Sequence, residues 1–117
     1  MTGATTPPPS PGVDNQVWLS AQLMEKGPPR YTPAGLPALD MVLKHEGQAA
    51  EAGALRKVSL EIRAVAFGVQ ASALGKWTLG QAGQFAGFLA AARNGKGVVL
   101  HITSASVSVV TDPDSVQ

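Results

Sequence analysis

Residues 57–92 read KVSLEIRAVAFGVQASALGKWTLGQAGQFAGFLAAA. Val58, Leu60, Ile62 and Ala64 alternate with Lys57, Ser59, Glu61 and Arg63, the period of a half-buried strand, and the strand runs on to Phe67. From Gln70 to Trp77 the alternation breaks. That stretch is short and rich in Ala and Leu, which predicts about two turns of helix. From Gln84 to Ala92 the period of two returns, with Phe85, Gly87 and Leu89 on one face. A long strand, a short helix and another strand form the centre of the chain.

Upstream, Val17, Leu19, Ala21 and Leu23 alternate with Gln16, Trp18, Ser20 and Gln22, giving a first strand that Gly27-Pro28-Pro29 stops. Arg30-Tyr31-Thr32 is a short extended piece, and Pro33-Ala34-Gly35 is a turn whose glycine suits positive φ. Leu39, Met41 and Leu43 mark a second strand, and Gly47 to Ala54 reads as a loop of small residues. Downstream, Arg93 to Gly97 is a hairpin loop built on Asn94-Gly95. Val98, Leu100 and Ile102 then alternate in a last strand running toward Val109. Three strands, a short helix and two strands is the all-β order of an OB-fold, a five-stranded Greek-key barrel with its helix between the third and fourth strands. Gly68 and Gly87 fall where a barrel needs a bend or a close approach. Order alone leaves open a flat sheet covered by one helix.

Composition bounds the function. The 117 residues are 44% hydrophobic and 15% charged, a globular balance. No cysteine is present, which excludes disulfides, thiolate metal sites and a thiol nucleophile and suits a reducing, cytoplasmic compartment. Residues 1–14 carry Pro7, Pro8, Pro9 and Pro11 and lack the basic and apolar regions of a secretory signal. They read as a flexible extension, residues 15–110 as the folded domain, and residues 111–117 as a flexible tail. No apolar run reaches the roughly 18 residues of a membrane span. All nine Lys and Arg lie between Lys26 and Lys96, against five acids in the domain, a net of +4 there. That balance fits a polyanion partner and also an ordinary soluble surface.

Several short stretches in order resemble the primosomal replication protein N family. They are Asn15-Gln16-Val17-Trp18-Leu19-Ser20, Tyr31-Thr32-Pro33-Ala34-Gly35-Leu36-Pro37, Leu43-Lys44-His45, Glu51-Ala52-Gly53, Gly87-Phe88-Leu89-Ala90 and Val99-Leu100-His101-Ile102. The resemblance covers the whole folded part, and single-stranded-DNA-binding proteins of the SSB type share the fold. It implies an OB-fold homodimer that binds single-stranded DNA without enzymatic activity or cofactor. It also implies a role in bacterial replication restart, with the restart helicase and other primosome proteins as partners and no membrane attachment.

Single-strand binding needs a positive groove and flat side chains on which bases stack. Arg30 lies after the first strand, Arg56 and Lys57 open the third, Arg63 sits on its polar face, and Arg93, Asn94 and Lys96 form the last hairpin loop. With Tyr31 these are the expected DNA contacts, although Tyr31 reads equally well as a core or interface tyrosine. Better-known members of the family carry aromatic residues where this chain has Ala54 and Ser59, and a base where it has Glu46. These departures predict weak, charge-led, salt-sensitive binding, or an adaptor that keeps its protein partners and loses most DNA affinity. Val17, Trp18 and Leu19 are the expected dimer contacts. Trp77, Phe67, Phe85 and Phe88 read as packing residues. His45 and His101 read as structural, because neither an H-E-x-x-H motif nor a third ligand accompanies them. A hydrolase on this barrel lacks a constellation, since no serine has an acid–base pair and no glycine-rich phosphate loop occurs.

Overall fold

The computed structural model describes residues 14–108. The Pro-rich extension expected before Asp14, the tail from Thr111 and the continuation to Val109 lie outside the described residues. The elements are β1 (Val17–Lys26), β2 (Arg30–Tyr31), β3 (Pro37–Glu51), β4 (Ala54–Phe67), α1 (Val69–Leu74), β5 (Ala82–Ala91) and β6 (Val98–Val107). The strands run in the order β1-β5-β6-β4-β3-β2, and a further β1–β3 pairing closes the ring. Apart from the two-residue β2, this is the expected five-stranded barrel, with α1 between its third and fourth long strands.

The alternation supplies the barrel's filling. Leu23, Leu43, Phe85 and Leu100 point inward from four different strands and are fully buried. Leu74 reaches in from α1 and is equally buried. Gly68, with φ 66°, turns the chain out of β4, and its amide donates to the Pro37 carbonyl. The helix ends after six residues at Gly75. The Lys26 ammonium then donates to the carbonyls of Gly75 (3.0 Å) and Trp77 (2.7 Å), satisfying polar groups left over at the helix end. Trp77 packs against the core with its ring centroid 5.4 Å from that of Phe85.

Two glycine-bearing sites set the shape. The β5–β6 ladder shifts register between Ala86 and Gly87, and a Cβ on Gly87 would stand 1.8 Å from the His101 carbonyl oxygen. Only glycine permits that approach. The other site corrects an expectation. Gly47 to Ala54 is not a loop: β3 and β4 continue as a ribbon to the pair Glu51↔Ala54, closed by Ala52 (φ 53°) and Gly53 (φ 80°). Two positive φ values in a two-residue turn match the twist of the strands. The ribbon hid in the sequence because residues 48–57 are all exposed, so no face had to be apolar.

Gly87→Ala is expected to cost about 3 kcal/mol or more, because backbone rather than a side chain fills the space, and urea unfolding measures it. Ala52→Asn is expected to stabilise by about 0.5–1 kcal/mol by relieving the left-handed alanine, read in the same titration.

Candidate nucleic-acid interface

One open groove of about 910 Å³ crosses the outer face of the barrel. Strand geometry builds it. Along β3, β4 and β6 the residues between the buried ones point outward, so Asp40, Val42, Arg63, Val65, Phe67, Val99 and His101 share one surface. The β2 arm, carrying Arg30 and Tyr31, forms one wall. The start of the β5–β6 hairpin loop, Ala92, Arg93 and Asn94, forms the other.

The expected site residues divide between two places. The groove gathers Arg30, Tyr31, Arg63, Arg93 and Asn94. Tyr31 is 73% exposed, which removes the core reading and leaves its ring free. Asn94 accepts from the Lys96 amide at 2.8 Å and so shapes the hairpin loop, while Lys96 itself does not line the groove. Arg56 and Lys57 stand on the exposed ribbon beyond it. As strand neighbours they point to opposite faces, and Arg56 is paired with Glu51 at 2.9 Å.

The charges are unequally free. Arg30 grips Asp40 through two hydrogen bonds, Nε to Oδ2 at 2.7 Å and Nη2 to Oδ1 at 3.0 Å. Those bonds hold the Asp40 carboxyl below the usual carboxylate range, and the charges of Arg30 and Arg93 push it the same way. Lys44 sits 3.6 Å from Glu46. Among the described residues Lys57, Arg63, Lys76, Arg93 and Lys96 have no carboxylate partner.

The aromatic surface differs from expectation. Phe85 is buried, but Phe67 and Phe88 are each 38% exposed. They flank His101, whose ring stacks on Phe88 (centroids 4.9 Å, 13° between planes) and lies 5.9 Å from Phe67. Phe67, His101 and Phe88 thus form a row of rings across β4, β6 and β5, and Phe67 and His101 line the groove. The signal was present in the alternation. Phe67 continues the polar-face series of Arg63, His101 falls between the buried Leu100 and Ile102, and Phe88 falls between the buried Gly87 and the partly buried Leu89. By contrast, Ala54 and Ser59 are exposed on the ribbon and offer no stacking surface.

His45 is structural: its Nδ1–H donates to the Ser20 carbonyl at 2.6 Å. Among the described residues no group of three or more His, Asp or Glu could hold a metal ion. The expected dimer contacts also separate. Val17 and Leu19 pack on the core, whereas Trp18 is 75% exposed, its indole N–H donating to Gln84. Strand β1 pairs with β5 from Val17 to Gln22 and with β3 only from Gln22 to Lys26. The other edge of Val17 to Ala21 pairs with no described strand.

A cationic, aromatic groove on a closed Greek-key barrel defines a class, the OB-type single-strand binders. A sequence profile described as "Another single-strand binding protein family" matches residues 15–104. A replication restart protein PriB of Bordetella pertussis is 48% identical over 92 residues, which cover 78% of this chain and 86% of that one. The structure of PriB from Ralstonia solanacearum superposes with a TM-score of 0.75 at 38% identity, covering 81% of this chain and 98% of that one. The single-stranded DNA binding protein from Thermus aquaticus gives a TM-score of 0.65 at 28% identity, covering 83% of this chain and 51% of that one. The chain belongs to the PriB family of replication restart proteins.

The double substitution Arg63→Ala with Arg93→Ala removes two unpaired groove cations without touching the core. It is expected to flatten the salt dependence of oligonucleotide binding by about 1.4 log units per log unit of salt, as two phosphate contacts at about 0.7 each require.

Proposed function

We propose that this chain binds single-stranded DNA along the groove between the β2 arm and the β5–β6 loop, as a non-enzymatic accessory protein of replication restart in the cytoplasm. The observation that carries the reading is the convergence of Arg30, Arg63 and Arg93 with Tyr31, Phe67 and His101 on one open surface. The arginines follow the phosphates, and the rings supply stacking faces that accept any base. Arg30, Arg93 and the exposed Tyr31 keep the roles that the sequence suggests, joined by Phe67 and His101. Arg56, Lys57 and Lys96 extend the positive field beyond the groove and steer the strand toward it.

The protein acts as a homodimer, with the open edge of β1 meeting its symmetry mate and Trp18 as the anchor. The restart helicase and other primosome proteins are its protein partners. A second reading, an adaptor with little DNA affinity, draws on the pairing of Arg30, Lys44 and Arg56 with carboxylates. Those pairs leave fewer free cations for phosphate.

Fluorescence anisotropy with a labelled oligo-dT of about 30 nucleotides, run over a salt series with duplex competitor, separates the two readings. The DNA-binding reading expects micromolar or tighter binding that weakens steeply with salt and resists duplex. No single-strand binding at low salt would establish the adaptor. Phe67→Ala and Tyr31→Ala are each expected to cost about 1–3 kcal/mol of binding. Sedimentation equilibrium is expected to give a dimer at micromolar concentration, weakened by Trp18→Ala; a strict monomer overturns the dimer.

A further inference from the structure

A carboxylate in a groove for a polyanion needs a reason. Asp40 lies on the groove surface between the β2 arm and β4. Its backbone serves the barrel through the ladder opposite Val65 and the bond from the Gly27 amide. Its side chain does not, because its one described hydrogen-bond partner is Arg30 and the carboxylate is 55% exposed.

The geometry of that contact carries the inference. The two Asp40 oxygens meet the Arg30 fork side by side, at 2.7 and 3.0 Å. A phosphodiester presents the same paired anionic oxygens to the same fork. Carboxylate and phosphate therefore compete for one set of donors. The charge of Arg93, on the opposite wall, also reaches Asp40. The acid thus sits within the field of a cation from each wall, Arg30 and Arg93.

Resting on the single-strand reading, we propose that Asp40 is a built-in stand-in for phosphate. It occupies the Arg30 guanidinium in the free protein, and a backbone phosphate displaces it when DNA enters. Binding at this point is an exchange of anions rather than the filling of an empty cation. Asp40 thereby lowers affinity and removes one phosphate contact from the salt dependence. It also keeps the β2 arm in place while the groove is empty, since Arg30 belongs to that arm.

The test is Asp40→Asn, which preserves shape and removes the charge, measured beside Arg30→Gln and the double variant. Thermal melts confirm folding of each. Asp40→Asn is expected to bind oligo-dT about three- to tenfold more tightly near 0.1 M salt. Its salt slope is expected to steepen by about 0.7, the value of one single-strand phosphate. The gain is expected to vanish in the double variant. Unchanged or weaker binding by Asp40→Asn, with the unsubstituted chain still binding, would make Asp40 a strut for Arg30 and overturn the exchange alone. A gain that persists without Arg30 would mean simple field repulsion and would also overturn it. If neither protein binds at low salt, the DNA-binding reading falls and the exchange falls with it.

Discussion

The barrel depends on how one strand divides its hydrogen bonds. Strand β1 spends its first half on β5 and its second half on β3, and Gln22 pairs with both. That handover converts a sheet into a closed ring. Leu23, one residue further on, is fully buried, and its amide and carbonyl bond Gln81 and Gly80 on the chain returning from the helix. The same division leaves the edge of Val17 to Ala21 without a strand. Closure of the core and exposure of an unpaired strand edge are thus two results of one arrangement.

On the other side of the ring, surfaces follow from parity. Each strand that sends Leu or Ala inward must send its neighbours outward. On β4 those neighbours are Arg63, Val65 and Phe67, and on β6 they are Val99 and His101. The groove needs no special loop fold for its floor. The walls come from segments with few constraints of their own: β2 has two residues in its ladder and a bidentate ion pair, and the hairpin loop follows Asn94-Gly95.

Most of the fold was legible because the barrel rewards alternation. Val17 to Leu23, Leu39 to Leu43 and Val98 to Ile102 announce their strands through apolar residues at every second position. The turn at Gly35 and the close approach at Gly87 were legible because glycine is demanded at both. The β3–β4 ribbon was not legible, since pairing without burial leaves no hydrophobic signature. Of the cations expected from the sequence, Arg30, Arg63 and Arg93 line the groove while Arg56, Lys57 and Lys96 lie outside it, and the groove's aromatics were less legible still. Phe67 and Phe88 looked like core because phenylalanine is usually buried, yet their positions in the alternation placed them outside. The pairing of Arg30 with Asp40 was hidden for a different reason. Ten residues and a turn separate them, and only the β2–β3 register brings them together.

The ribbon has a consequence for how such a chain can vary. Its outer part touches no core: residues 48–57 are all exposed, while a Cβ on Gly47, just before them, would stand 3.2 Å from the His45 ring. Beyond Gly47 only backbone pairing and the Ala52–Gly53 turn must be kept. Side chains repeat every second residue, so the ribbon can grow or shrink by two residues on each strand and keep both faces in phase. It is a module of adjustable reach, free to acquire rings, charges or contacts while the barrel beneath it stays the same.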